Sequence, residues 1–114
     1  MSDFQTQAEF AANLNSTFLV KVDASGPVEL KLIGVKGHQS EVHPRTDMER
    51  FSVFFVGSED HFLPQSMYSL SHENMGDFDV FLVAIGKEPD GYHYEAIYNY
   101  YKSILQEPPQ VRNE

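Results

Sequence analysis

The feature that most constrains the fold of this chain is the run of apolar segments between Phe51 and Tyr101. Within this run, apolar residues recur at every second position over segments of strand length, and polar turns with glycine separate the segments. Alternation with a period of two is typical of β-strands, because successive side chains of a strand point to opposite faces. The run therefore predicts consecutive strands joined by loops.

A short helix is predicted before the first strand. Thr6 and Glu9 have the spacing of a capping box, in which the two side chains bind the first free amides of a helix. The helix is expected from about residue 7 to 14, with Phe10, Ala11 and Leu14 on its apolar face. We expect this face to plug or flank a sheet.

The first two strands form a predicted hairpin. Residues 17–22 and 28–35 alternate apolar and polar positions, and the turn residues 23–27 lie between them. The apolar positions change phase beside Gly34. A phase change next to glycine is typical of a β-bulge, and bulges bend a sheet toward closure.

Four further strands are predicted, at 50–56, 67–72, 78–85 and 92–101. Both faces of 51–56 and of 78–85 are apolar, which predicts central strands covered on both sides. The predicted fold is mainly β: about six strands in an antiparallel meander, closed or nearly closed into a small barrel, with one N-terminal helix. We assign residues 1–103 to a single domain and 104–114 to a flexible tail, and find no internal repeat.

Composition narrows the classes of partner. The chain has 114 residues, no cysteine and a net charge of −9, and it has no apolar stretch of the ~20 residues that a membrane helix needs. Its N-terminus has neither the basic nor the apolar region of a secretion signal. We expect a cytoplasmic protein without a membrane partner. Between Gly57 and Glu95 there are eight acidic residues but only one base, Lys87, so nucleic acid is not an expected partner either.

Short motifs carry a resemblance to a known family. They are Leu63-Pro64-Gln65, Tyr68-Ser69-Leu70 and Tyr94-Glu95-Ala96 followed by Tyr98-Asn99, in this order and spacing. The chain resembles an uncharacterised family of small bacterial β-rich proteins, and the resemblance extends over nearly its whole length. It implies a β-rich fold, and the family has no known activity to transfer.

Gln65 and Glu95 are the first candidate site residues. Gln65 follows a proline in a loop, and Glu95 lies between Tyr94 and Ala96 in the last strand. The two side chains could meet and hydrogen-bond backbone groups, and we interpret them as a latch that ties a loop to the rim of the barrel. In the alternative interpretation Glu95 is a general base or a ligand.

The last strand contains a stripe of tyrosines. Tyr92, Tyr94, Tyr98 and Tyr100 share one face, which predicts packing inside the barrel and at its rim. Alternatively they form a contact surface for a protein or a sugar. Tyr101 lies on the other face and is the better candidate for an exposed contact.

Metal, cofactor and enzyme sites are not predicted. The loop residues His38, Glu41, His43 and Asp47 could supply ligands, but their spacing is not that of a known metal motif. There is no Gly-x-Ser-x-Gly elbow and no glycine-rich phosphate loop. The serines therefore give no nucleophile signature.

Two classes of function remain open. We expect a non-enzymatic protein-interaction or assembly module that binds another protein or a second copy of itself. The alternative is a small-molecule-binding barrel, with or without weak hydrolytic activity, that uses Gln65, Tyr94 and Glu95 around a cavity.

Overall fold

A computed structural model describes residues 5–23, 26–37 and 48–101 of the chain. The helix α1 spans Gln7–Ala12, and Thr6 and Glu9 form the predicted capping box at its start. Six strands follow: β1 Thr17–Asp23, β2 Gly26–Gly37, β3 Met48–Gly57, β4 Ser66–His72, β5 Gly76–Glu88 and β6 Gly91–Tyr101. The predicted mainly β class and the predicted number of strands are confirmed.

The six strands form a closed antiparallel barrel in the order β1-β2-β3-β6-β5-β4. Closure is therefore confirmed, but the chain does not run around the barrel as one continuous meander. It forms two meanders of three strands, and residues 58–65 cross one end of the barrel to join them. As a result β3 pairs with β6, and the short contact between β1 and β4 closes the circle.

Each meander has a bulge in its middle strand. The register of β2 shifts between Leu32 and Gly34, as the phase change beside glycine predicted. The register of β5 shifts in the same way between Ala84 and Gly86. The two bulges let these long strands leave one neighbour and join the next, which is how a small sheet curves into a barrel.

The barrel interior is filled by side chains that alternate along the strands. Phe18, Phe51, Phe55, Leu82 and Tyr94 are fully buried there, and Ala96 and Tyr100 continue the predicted inward stripe of β6. At the end where β1 starts, which we call the helix end, Phe10 of α1 is also fully buried. The helix thus plugs the barrel through Phe10 alone, since Ala11 and Leu14 of the predicted apolar face are exposed and the helix ends at Ala12.

The opposite end, which we call the loop end, contains the crossing segment 58–65 and the hairpin between β5 and β6. Gly91, which begins β6, has a φ of 132 degrees, in a region that disfavours other residues. A Cβ on Gly91 would lie 2.0 Å from the carbonyl oxygen of Gly57. Glycine is therefore required where β6 starts beside β3.

The second face of β5 is exposed, whereas that of β3 is not, since the outward Ser52 is fully buried. Phe54 and Val56 are only half-buried, and Phe81 and Ile85 are 45% and 50% exposed. The prediction of a doubly covered strand was wrong for β5, because in a closed barrel the second face of every strand points outward. The predicted tail, 104–114, lies outside the described residues. Within the described ranges, no helix combines the length and apolar character that crossing a bilayer requires.

Candidate functional site

The four predicted site residues occupy different environments. Gln65 is exposed at the end of the crossing segment, and Tyr94 is fully buried in the barrel. Glu95 follows Tyr94 on β6, so its side chain points to the outer face, where it is half-buried. Tyr101 ends β6, and its side chain lies outside the described residues. The structure does not bring Gln65, Tyr94 and Glu95 together around one cavity.

The crossing segment is tied to the barrel by Tyr94. The Leu63 backbone N–H donates to the Tyr94 hydroxyl oxygen at 2.9 Å, and the Leu63 side chain is 3% exposed. Burial raises the pKa of the Tyr94 hydroxyl above its ordinary value, because the anion would lose its hydration. Tyr94 is therefore a neutral structural partner of the loop at physiological pH.

Tyr68 provides a second tie to the same segment. Its hydroxyl donates to the Pro64 carbonyl at 2.5 Å, and Pro64 directly follows Leu63, whose amide is bound by Tyr94. No hydrogen bond joins Gln65 to Glu95 in the described structure. The predicted latch between Gln65 and Glu95 is not formed, and two tyrosine hydroxyls tie the predicted loop to the barrel instead. Glu95 cannot take part from the outer face of the sheet.

The outer face of the barrel carries a group of apolar side chains, which we call the outer patch. Its most exposed members are Ile97 at 66%, Met67 at 61%, Ile85 at 50% and Phe81 at 45%. Met67 and Phe81 are opposite each other on β4 and β5, and Glu95 lies between Phe54 on β3 and Val83 on β5. The outer patch consists of Phe54, Met67, Phe81, Val83, Ile85 and Ile97.

Two charged residues lie in and beside the outer patch. Glu95 is surrounded by Phe54, Val83 and Ile97 and has no ion pair or hydrogen bond from its side chain in the described structure. Arg50 lies on the same face at the helix end of β3, opposite Asn99. Its Nε is buried and has no hydrogen-bond partner. The patch therefore presents an anion and a cation that the described part of the chain does not pair.

A known family matches most of the chain. Residues 5–98 match the family described as "Domain of unknown function (DUF6916)". The chain belongs to this family. The matched span includes the helix, the first five strands and most of β6, so nearly the whole described barrel lies within it. A search of curated proteins gave no match, and a search of solved structures gave none either.

An open groove of about 600 Å³ lies where β1 and β4 diverge toward the helix end, lined by Ser16, Thr17, Leu19, Ser71, His72 and Glu73. His72 is 7% exposed, and its ring lies 4.2 Å from that of Phe18. Ser16 Oγ is 2.8 Å from His72 Nε2. This is a serine–histidine pair that the sequence did not single out, since the two residues are 56 positions apart.

The hydrogen bonds of His72 define its tautomer. Nδ1 accepts from the backbone N–H of Asn74 at 3.0 Å and of Met75 at 3.3 Å. The ring proton of the neutral imidazole is therefore on Nε2, which donates to Ser16 Oγ. Ser16 in turn donates to the carbonyl of Asn13. In this arrangement the histidine cannot accept the serine proton, so the pair joins the segment between α1 and β1 to the β4–β5 hairpin instead of activating a nucleophile.

The remaining histidines give no cluster in the described ranges. His38 and His43 lie outside the described residues, and no three metal-ligating side chains converge among the described ones. His93 Nε2 is 2.8 Å from the Asp90 carboxylate. This hydrogen bond lowers the pKa of the exposed Asp90 carboxyl below its ordinary value.

Proposed function

We propose that this barrel is a non-enzymatic protein-interaction or assembly module whose contact surface is the outer patch. The observation that carries the proposal is the exposure of Ile97, Met67 and Phe81 on neighbouring strands of one face. Single exposed apolar residues are common on protein surfaces, but neighbouring ones on a folded surface are typical of protein contacts. The proposal needs no catalytic group.

The topology restricts how a partner can bind. A closed barrel has no long free strand edge, so a partner does not extend the sheet by adding a strand along it. The contact must instead be made by side chains that project from the outer face. Large apolar residues such as Phe81 and Ile97 are suited to the centre of such a contact, where water is excluded.

The test of this function is capture of a partner by the purified chain, with two variants of the patch. We expect Ile97→Asp and Phe81→Asp each to weaken the contact at least tenfold, because each places a charge in its apolar centre, about 1.4 kcal/mol or more of binding free energy. Leu19→Asp is the matched control. Leu19 is 37% exposed on the outer face of β1, on the opposite side of the barrel.

The measurement combines solution mass by light scattering with affinity capture from the lysate of the source cell. Circular dichroism establishes that each variant is folded. The proposal fails if no protein, including the chain itself, associates with the wild type. It also fails if Leu19→Asp weakens the contact as strongly as Ile97→Asp.

Small-molecule binding is the second candidate, and the observation that favours it is the groove beside Ser16 and His72. This groove lies outside the barrel and mixes polar and apolar lining residues. A fragment screen by ligand-observed NMR tests it, with Thr17→Trp, which fills the groove, as the control variant. Fragments that bind wild type and Thr17→Trp equally would contradict a site in the groove.

A further inference from the structure

We infer that the partner of the outer patch is a second copy of this chain, bound through a two-fold contact centred on Ile97 in which Glu95 of each copy meets Arg50 of the other. The inference rests on the proposed function and specifies its partner. The outer patch, the two unpaired charges and the position of Ile97 between them are the observations that carry it.

The first step is the arrangement along β6. Glu95, Ile97 and Asn99 are alternate residues of this strand, so their side chains all project outward. Arg50 is directly opposite Asn99 on β3. Ile97, the most exposed member of the patch, therefore lies along the strand between Glu95 and the Asn99–Arg50 pair. At the rise of a β-strand, Glu95 and Asn99 are about 13 Å apart.

The second step is the symmetry of a contact between identical copies. In a two-fold interface every contact occurs twice: if a first residue contacts a second residue of the partner, the partner's first residue contacts the second residue of this copy. An axis that lies in the contact plane perpendicular to β6 and passes over Ile97 places Glu95 of one copy over Asn99 of the other, beside its Arg50. Each Glu95 then faces the partner's Arg50, and Ile97 faces the partner's Ile97.

The charges of Glu95 and Arg50 determine where the axis can lie. A two-fold axis over Glu95 itself would bring two carboxylates together among apolar side chains, which is strongly unfavourable. The axis over Ile97 avoids this and pairs each carboxylate with a guanidinium. Arginine can bind a carboxylate through two parallel hydrogen bonds. Because the Nε of Arg50 is itself buried, the contact with the partner's Glu95 would be made by the terminal nitrogens of the guanidinium.

The fourth step is the apolar surface around the axis. Val83 and Glu95 are the last pair of the β5–β6 ladder toward the helix end. Phe81 and Ile97 are the next residues on the same face of β5 and β6 in that direction. They flank the axis together with Met67, which is opposite Phe81. Such side chains exclude water from the charge pairs, and electrostatic complementarity then determines the orientation of the two copies.

The first experiment is a charge exchange, followed by sedimentation equilibrium of the full chain. We expect a wild-type dimer, and a dissociation constant raised at least tenfold in both Glu95→Arg and Arg50→Glu. The double variant Glu95→Arg/Arg50→Glu should return to within about threefold of wild type, because the exchanged charges pair again. Lys31→Glu, an exposed charge change on β2, is the matched control and should dimerise as wild type does.

The second experiment does not depend on Arg50, whose substitution could impair folding. The natural chain has no cysteine, so Ile97→Cys introduces a single thiol. In a face-to-face contact the two copies of this residue lie on either side of the axis at about the ~10 Å that separates packed sheets, too far for a disulfide but within reach of a short bismaleimide cross-linker. We expect that cross-linker to give at least tenfold more covalent dimer from Ile97→Cys than from Leu19→Cys at equal concentration.

The outcomes separate this inference from the proposed function. A wild-type monomer at all concentrations overturns the inference, as does equal cross-linking of Ile97→Cys and Leu19→Cys. A double charge variant that associates no better than its single variants also overturns it. If the chain is monomeric but captures another protein, and Ile97→Asp abolishes the capture, the proposed function stands and the second copy is the wrong partner.

Discussion

The two ends of the barrel are closed by different physical means. At the helix end, the Phe10 ring packs against Phe18, Phe51, Phe78 and Tyr98 with centroid distances of 5.5 to 6.3 Å. At the loop end, Leu63 is buried. The Tyr94 hydroxyl accepts from the Leu63 N–H, and the Tyr68 hydroxyl donates to the Pro64 carbonyl. The helix end is therefore closed by apolar packing of α1. The loop end is closed by hydrogen bonds to the crossing segment 58–65, which joins the two meanders.

The difference indicates where stability and specificity come from. Packing of a large ring contributes in proportion to buried area and is lost as a cavity. A hydrogen bond contributes less in net terms, but it selects one loop conformation because an unpaired buried amide is costly. We therefore expect the helix end to contribute more to stability and the loop end to determine the path between the two meanders.

Phe10→Ala should have the largest effect. It removes the ring that fills the helix end, and we expect a loss of about 3–5 kcal/mol in the free energy of unfolding. Urea denaturation followed by circular dichroism measures the change. Leu14→Ala, at a residue that is 42% exposed, is the control and should cost less than about 1 kcal/mol. Equal losses in the two variants would mean that Phe10 is not the plug.

Tyr94→Phe should have a smaller effect at the loop end. It keeps the ring but leaves the Leu63 amide without its acceptor, and we expect a loss of about 1–2 kcal/mol. Amide exchange at Leu63, measured by NMR, should accelerate more than exchange in β3. Tyr68→Phe frees only the Pro64 carbonyl, which is exposed to water, and should cost less. Unchanged exchange at Leu63 would contradict the latch.

Alkaline pH should weaken the helix end through Tyr98. Burial raises the pKa of its hydroxyl above the ordinary value of 10.0, and the nearby Tyr100 and Glu9 add to the shift. The unfolded chain then loses this proton before the folded chain does. Stability should be constant below the unfolded pKa and fall above about pH 10 by up to ~1.4 kcal/mol per pH unit. Urea midpoints at pH 8 to 11 measure this, and Tyr98→Phe should show a shallower decline.

Gln65→Ala should have the smallest effect. Gln65 is exposed beside the latch without bonding to Glu95, so the change in the free energy of unfolding should stay within about 0.5 kcal/mol. The same denaturation assay applies, with Tyr94→Phe as the positive control. A loss above 1 kcal/mol would show that the amide side chain of Gln65 does hold the crossing segment.

Local patterns predicted the elements well. The capping box of Thr6 and Glu9 placed the start of α1, and the phase change beside Gly34 placed the first bulge. These features depend on a few neighbouring residues. The second bulge, beside Gly86, was missed, because the apolar residues around Ile85 lie on both faces and hide the change of phase.

The candidate site was predicted less well, since its parts are distant in sequence. The latch was expected at Leu63-Pro64-Gln65, and the segment is indeed tied there, but by Tyr94 and Tyr68. The pairing of β3 with β6 brings Glu95, Phe54 and Arg50 onto one outer face. No spacing along the chain indicates that pairing.

The sequence by itself determined the strands, the helix, the bulge beside Gly34 and membership in a β-rich family, because period, capping and turn chemistry act over a few residues. Only the tertiary structure decided the strand order, the way each end is closed, and which apolar faces remain outside. The physical reason is that closure gives a barrel one interior, so of two apolar faces on a strand only one can be buried within the chain. Apolar residues on the outward faces of β3, β4, β5 and β6 thereby form the outer patch.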